Sequence, residues 1–231
     1  MSSNTGPSSS GPFTPGAPDF EELSPAERYQ ASAKRRAEAA THLGAFIRTL
    51  GLTLSDAEMH ANFLGRRLVE CLAIVEGLTG RSVPPGALER YLAERDRVLR
   101  EQVVPIPGVR DVLEGLAIPY CLASSGGHDK MAITLGATNL LPLFEGRIFS
   151  ANDVARGKPA PDIFLLAAER MGAAPARSVV IEDSVNGVLA GCAAGMTVLG
   201  FAGLTPVAKL VEAGAAATFD DMRELPQLLN D

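Results

Sequence analysis

Two rhythms of apolar residues divide the chain. From Leu43 to about Val104 apolar positions recur at helical spacing. HLGAFIRTLGL stops at Gly51, and SDAEMHANFLG, RRLVECLAIVEGLTG and PPGALERYLAERDRVLREQV follow as amphipathic segments with Gly or Pro between them. After Pro105 short apolar runs alternate with helical stretches. IPYCLAS, RIFS, SVVIED and MTVLGFA read as strands, whereas GGHDKMAITLGAT, PDIFLLAAERMG and SVNGVLAGCAAG read as helices. ATF and DMRELPQLL close the chain. Strands alternating with helices of about a dozen residues predict βαβ units and a Rossmann-like parallel sheet. The expected organisation is a small all-helical region within 24–104 and an α/β core over 105–231.

Upstream the pattern is different. MSSNTGPSSSGPFTPGAPDF is nearly all Ser, Gly, Pro, Thr and Asn. It buries too little apolar surface to offset its ordering entropy, so a disordered tail is expected over 1–23. SPAE at 24–27 is a helix start, with Ser24 as N-cap, Pro25 in the first turn and Glu27 completing a capping box. The following RYQASAKRRAEAATHL is a polar helix, carrying only Tyr29 and Leu43 as large apolar residues.

Composition narrows the function classes. A 46% hydrophobic content over 231 residues suffices for one good-sized domain or two small ones. The net charge of −6 argues against nucleic acid or an anionic membrane as the main partner. An anionic substrate stays open, because a bound metal supplies positive charge locally. Cys71, Cys121 and Cys192 are scattered, without metal-like spacing, as reduced thiols of a cytoplasmic protein are. No stretch approaches the ~20 apolar residues of a membrane span. A monomer or small homo-oligomer is expected.

In an open α/β sheet the site lies at the carboxyl ends of the strands, and three of those ends carry polar groups. Ser124 ends the first strand and is followed by Ser125, Gly126 and Gly127, small residues whose N–H groups suit an anion at a helix start. Taken alone this is equally a turn. Lys158, in RGKPAPDIF, stands in a loop stiffened by Pro159 and Pro161 before Asp162 opens a helix. By itself it reads as a surface lysine; in a strand-end cluster it reads as a fixed ammonium aimed at a phosphate. Glu182 and Asp183 end the apolar run VVI. A lone Asp183 there would be a helix N-cap. Two adjacent acids repel, and a hard cation such as magnesium relieves the repulsion.

The ordered set Ser124, Lys158 and Glu182–Asp183, together with GKPAPDIF and IEDSVNGVLAGCAAGM, resembles the haloacid dehalogenase-like superfamily. Within it, the likeness is to the subgroup of β-phosphoglucomutase and of many sugar-phosphate and phosphoglycolate phosphatases. The helical region resembles that subgroup's cap, and FLGRR at 63–67 falls where its members carry a cap glycine and a basic residue. The resemblance implies a magnesium-dependent phosphatase, or a phosphomutase, acting on a small phosphorylated metabolite. Ser124 would bind the phosphoryl group, helped by the N–H of Ser125 or Gly126. Lys158 would neutralise phosphate and nucleophile. Asp183 would bind magnesium, with Glu182 supporting it directly or through water. Arg66, or alternatively Arg67, would grip the substrate from the cap.

The superfamily's strongest motif is missing. Before the cap there should be a central apolar strand ending in Asp-x-Asp, whose first Asp is the nucleophile and whose second is the general acid/base. Only Asp19 precedes the helical region, in GAPDFEE, with no strand before it. Two further readings follow: a non-catalytic relative that binds phosphate and metal, or a reading-frame change over residues 19–43. Dehalogenase chemistry fits the paired acids less well, and a dinucleotide-binding domain lacks its G-x-G-x-x-G.

Overall fold

The computed structural model describes residues 42–230. The tail expected over 1–23, the helix start at Ser24 and the position of Asp19 lie outside the described residues.

Four helices come first: α1 over 42–49, α2 (Asp56–Phe63), α3 (Leu68–Thr79) and α4 (Ala87–Gln102). Their apolar faces meet in a cluster of Ile47, Phe63, Cys71 and Val75, with Leu43, Leu54 and Met59 packed against it. Phe46 of α1 stacks on Tyr91 of α4 at 4.6 Å between ring centroids. The alternating part follows as α5 (Val109–Gly115), β1 (Leu122–Ser124), α6 (His128–Ala137), β2 (Ile148–Ser150) and α7 (Asp162–Met171). It continues with β3 (Val179–Glu182), α8 (Val185–Ala193), β4 (Thr197–Phe201), α9 (Val207–Glu212), β5 (Ala217–Phe219) and α10 (Leu225–Leu228). Strands β1 to β4 are each shorter than their apolar runs, β5 spans ATF itself, and α5 and α9 are helices that the alternation does not announce.

All strand pairs are parallel, but they form two blocks, β1–β2 and β3–β4–β5. Among the described residues no strand lies between β1 and β3; the segment ahead of the helical region, where the sequence shows no apolar strand, lies outside the described residues. Side chains span the gap. Pleating sends Val180 and Val198 to one face, where they join Ile163 and Phe164 of α7, Val188 of α8, and Ala123 and Phe149 from the other block. Leu199 and Phe201 join the opposite face, with Val112 of α5, Phe219, Met222 and Leu225. Helices thus cover both faces, as a parallel sheet requires.

The helical region docks over the carboxyl ends of the strands. Ser125 Oγ donates to the Gly65 carbonyl at 2.6 Å, and Asn186 Nδ2 donates to the Leu64 carbonyl at 2.7 Å. Arg95 of α4 pairs with Asp129 of α6 at 3.0 Å. The Lys130 backbone N–H, and then Arg95, hold the Asp129 carboxyl below the usual carboxylate range.

Candidate functional site

The β-branched run Val179–Ile181 makes β3 a strand. It ends because Ser184 caps α8, its hydroxyl accepting from Gly187 N at 3.0 Å. The N-cap is therefore Ser184 and not Asp183. Asp183 is exposed, and its carbonyl accepts from the buried Thr205 hydroxyl at 2.5 Å.

Lys158 is buried, with 4% of its surface exposed, which excludes the surface-lysine reading. Its ammonium pairs with Glu182, lies 3.4 Å from the Ala123 carbonyl and stands 4.5 Å above the Phe164 ring. It therefore bridges the end of β1 to the end of β3. Burying an ammonium without a partner is costly; here a carboxylate, a carbonyl and an aromatic face replace the lost water. Glu182 also accepts from Ser184 Oγ at 3.1 Å. Gly187 makes room for it: a Cβ there would fall 2.0 Å from the Glu182 carboxyl carbon.

Ser124 ends β1 one residue beyond Ala123, its Oγ accepting from Gly126 N at 3.1 Å. The Gly126 carbonyl accepts from Ser150 Oγ at 2.8 Å, and Ser150 is fully buried, so the end of β2 fixes the serine loop. Ser125, whose N–H the resemblance makes a helper of Ser124, donates its hydroxyl to the Gly65 carbonyl.

Lys158 and Glu182 are thus in direct contact, with Ser124 beside the carbonyl that Lys158 faces. The two arginines part ways. Arg67 caps α3 and reaches across to the carbonyls of Ala151, Val154 and Ala155. Arg66 keeps a buried Nε with no hydrogen-bond partner among the described residues. Ser150 and Thr205 escaped the sequence reading because a lone hydroxyl after a strand carries no motif. Ser184 was not singled out either: the sequence reading weighed Asp183 as the N-cap, and the structure gives that place to Ser184.

The described residues do not make a magnesium site by themselves. Glu182 is engaged by Lys158 and Ser184, and no group of three or more His, Cys, Asp or Glu among the described residues could hold a metal ion. What they do offer is a buried cation, a serine hydroxyl and the starts of α6 and α8, the ingredients of an oxyanion site.

The family description haloacid dehalogenase-like hydrolase matches residues 18–195. Among curated proteins, the 6-phosphogluconate phosphatase of Escherichia coli is 31% identical over 179 residues, covering 77% of this chain and 80% of that protein. The fructose-1-phosphate phosphatase of the same organism is 37% identical over 125 residues, 54% of this chain and 66% of the relative. Among solved structures, a haloacid dehalogenase-like protein of unknown function from Agrobacterium tumefaciens superposes with a TM-score of 0.69 at 32% identity, covering 85% of this chain and 91% of that one. A hydrolase of Deinococcus radiodurans with bound phosphate and sodium gives 0.62 at 30% identity, covering 83% and 87%.

Proposed function

Since the chain belongs to the haloacid dehalogenase-like hydrolase family, we propose that it is a phosphoric monoester hydrolase acting on small phosphorylated metabolites, sugar phosphates foremost. The observation that carries this reading is the buried Lys158 ammonium, held at the strand ends against the carbonyl of Ala123, the residue before Ser124. Phosphoryl transfer asks mainly for positioning and charge neutralisation. Lys158 supplies the charge. The Ser124 hydroxyl and the N–H of Ser125 or Gly126 orient the phosphoryl oxygens. The helical region acts as a cap, with Arg66 facing the rest of the substrate. Phosphatase relatives acting on 6-phosphogluconate and fructose 1-phosphate support a sugar-phosphate substrate. Three free cysteines suit the cytoplasm.

Magnesium dependence is general in the family, but Glu182 is already engaged by Lys158 and Ser184. One observation favours a second reading. Among the described residues Glu182 is the only carboxylate that meets Lys158, and no Asp-x-Asp precedes the helical region. A relative that holds a phosphorylated metabolite without turning it over would have this site.

Hydrolysis of p-nitrophenyl phosphate with and without magnesium, beside calorimetric titration of inorganic phosphate, tests both readings. Turnover that Lys158→Ala abolishes supports the hydrolase. Phosphate binding without turnover supports the second reading. Neither turnover nor binding refutes both.

A further inference from the structure

The loop that carries Lys158 is shaped by a side chain from outside the α/β part. Residues 151–157 form a short 3-10 turn and bends, so no sheet ladder takes up their carbonyls. Arg67 does so instead. Its Nη1 donates to the Ala151 and Val154 carbonyls and its Nη2 to that of Ala155, each at 3.3 Å. The planar guanidinium suits this role, since its donors lie in a fixed fork. Glu70 holds the fork in place, with Oε1 at 2.6 Å from Nη2 and 2.8 Å from Nε. The pair lies flat against the buried Gly157, where a Cβ would fall 2.6 Å from Glu70 Oε1 and 2.8 Å from Arg67 Nε. Lys158 is the next residue.

We propose that Arg67 is a positioning residue that couples docking of the helical region to the placement of Lys158. Leu64 and Gly65 sit directly on the serine loop and the start of α8, so undocking of the helical region breaks both contacts. Lifting α3 pulls Arg67 from three loop carbonyls at once and frees the backbone that aims Lys158 between Ala123 and Glu182. The anion site is then complete only in the docked state. The coupling stands on the contacts alone; its consequence for phosphate binding rests on the reading under Proposed function.

Hydrogen exchange by mass spectrometry on the full chain, comparing wild type, Arg67→Ala and Arg67→Lys, tests the coupling. Arg67→Ala is expected to speed amide exchange over 153–158 by about tenfold or more, with a smaller change in α2 and α3. Arg67→Lys keeps the charge, loses the fork and should fail to restore protection. Calorimetric titration of inorganic phosphate should show weaker binding to Arg67→Ala than to wild type. Unchanged exchange over 153–158, or an equal rise throughout α2 and α3, overturns the coupling. Faster loop exchange with undiminished phosphate affinity overturns its link to the site. Wild type that binds no phosphate refutes the site reading, and the exchange comparison still decides the coupling.

Discussion

Lys158→Met removes the one cation that, among the described residues, pairs with Glu182, whose side chain keeps 10% of its exposure. Among the described residues only Ser184 Oγ, at 3.1 Å, then remains to compensate the carboxylate. Removing one member of a buried ion pair typically costs about 3–5 kcal/mol, because the other stays charged and dry. Glu182→Gln is milder. It leaves the ammonium 3.4 Å from the Ala123 carbonyl and 4.5 Å above Phe164, and a desolvated cation–π contact alone contributes about 2 kcal/mol. We expect that variant to cost about 1–3 kcal/mol. The double variant has no charge left to bury, and neutral replacements of buried pairs are often tolerated. It should therefore be more stable than Lys158→Met alone. Urea unfolding followed by circular dichroism reads the difference. With a slope of about 3 kcal/mol/M, Lys158→Met should lower the midpoint by more than about 1 M. A midpoint within about 0.3 M of wild type, or a double variant that loses the sum of the singles, would refute a tightly coupled buried pair.

Gly187→Ala drives a methyl into the Glu182 carboxyl and should destabilise by about 1–3 kcal/mol, read by the same titration, whereas Gly77→Ala, with no atom near its added Cβ, should be neutral or stabilising. Cysteine labelling near pH 8 should modify the exposed Cys192 first. Burial, with Glu70 nearby, pushes the Cys71 thiol up to about 11, so peptide mapping that finds Cys71 modified as fast as Cys192 would contradict its packing. Asp129 has a folded pKa below its ordinary value. Its contribution is therefore fully present above about pH 4 and lost as pH falls through the folded value. Asp129→Asn should change stability by less than about 1 kcal/mol at pH 7 and flatten the acid limb of the pH–stability curve.

Much of this was legible along the chain because local chemistry decided it. Leu122–Ser124 and Val179–Glu182 fall inside the apolar runs that predict them, and Gly172 ends α7 in a left-handed turn as its position suggests. Helix α5 was not legible: VRDVLEG is too short to show a period, and it is helical because Val109 and Val112 pack under the sheet. The strand-end groups stood out by residue type, but their engagement did not. That Lys158 meets Glu182, 24 residues on, depends on a loop path that no spacing encodes. Adjacent in sequence, Arg66 and Arg67 looked interchangeable until the start of α3 turned one into a cap and left the other with a buried donor unmade.

The division of the strands into two blocks has a mechanical consequence. Among the described residues, cohesion across that seam comes from interdigitated apolar groups such as Ala123, Phe164 and Val180, and from one ionic rivet between Lys158 and Glu182. Dispersion contacts fail gradually as surfaces separate, while a hydrogen-bonded ladder yields as a unit. Under tension or in denaturant the described residues should part first along this line, with each block keeping its own backbone pairing intact.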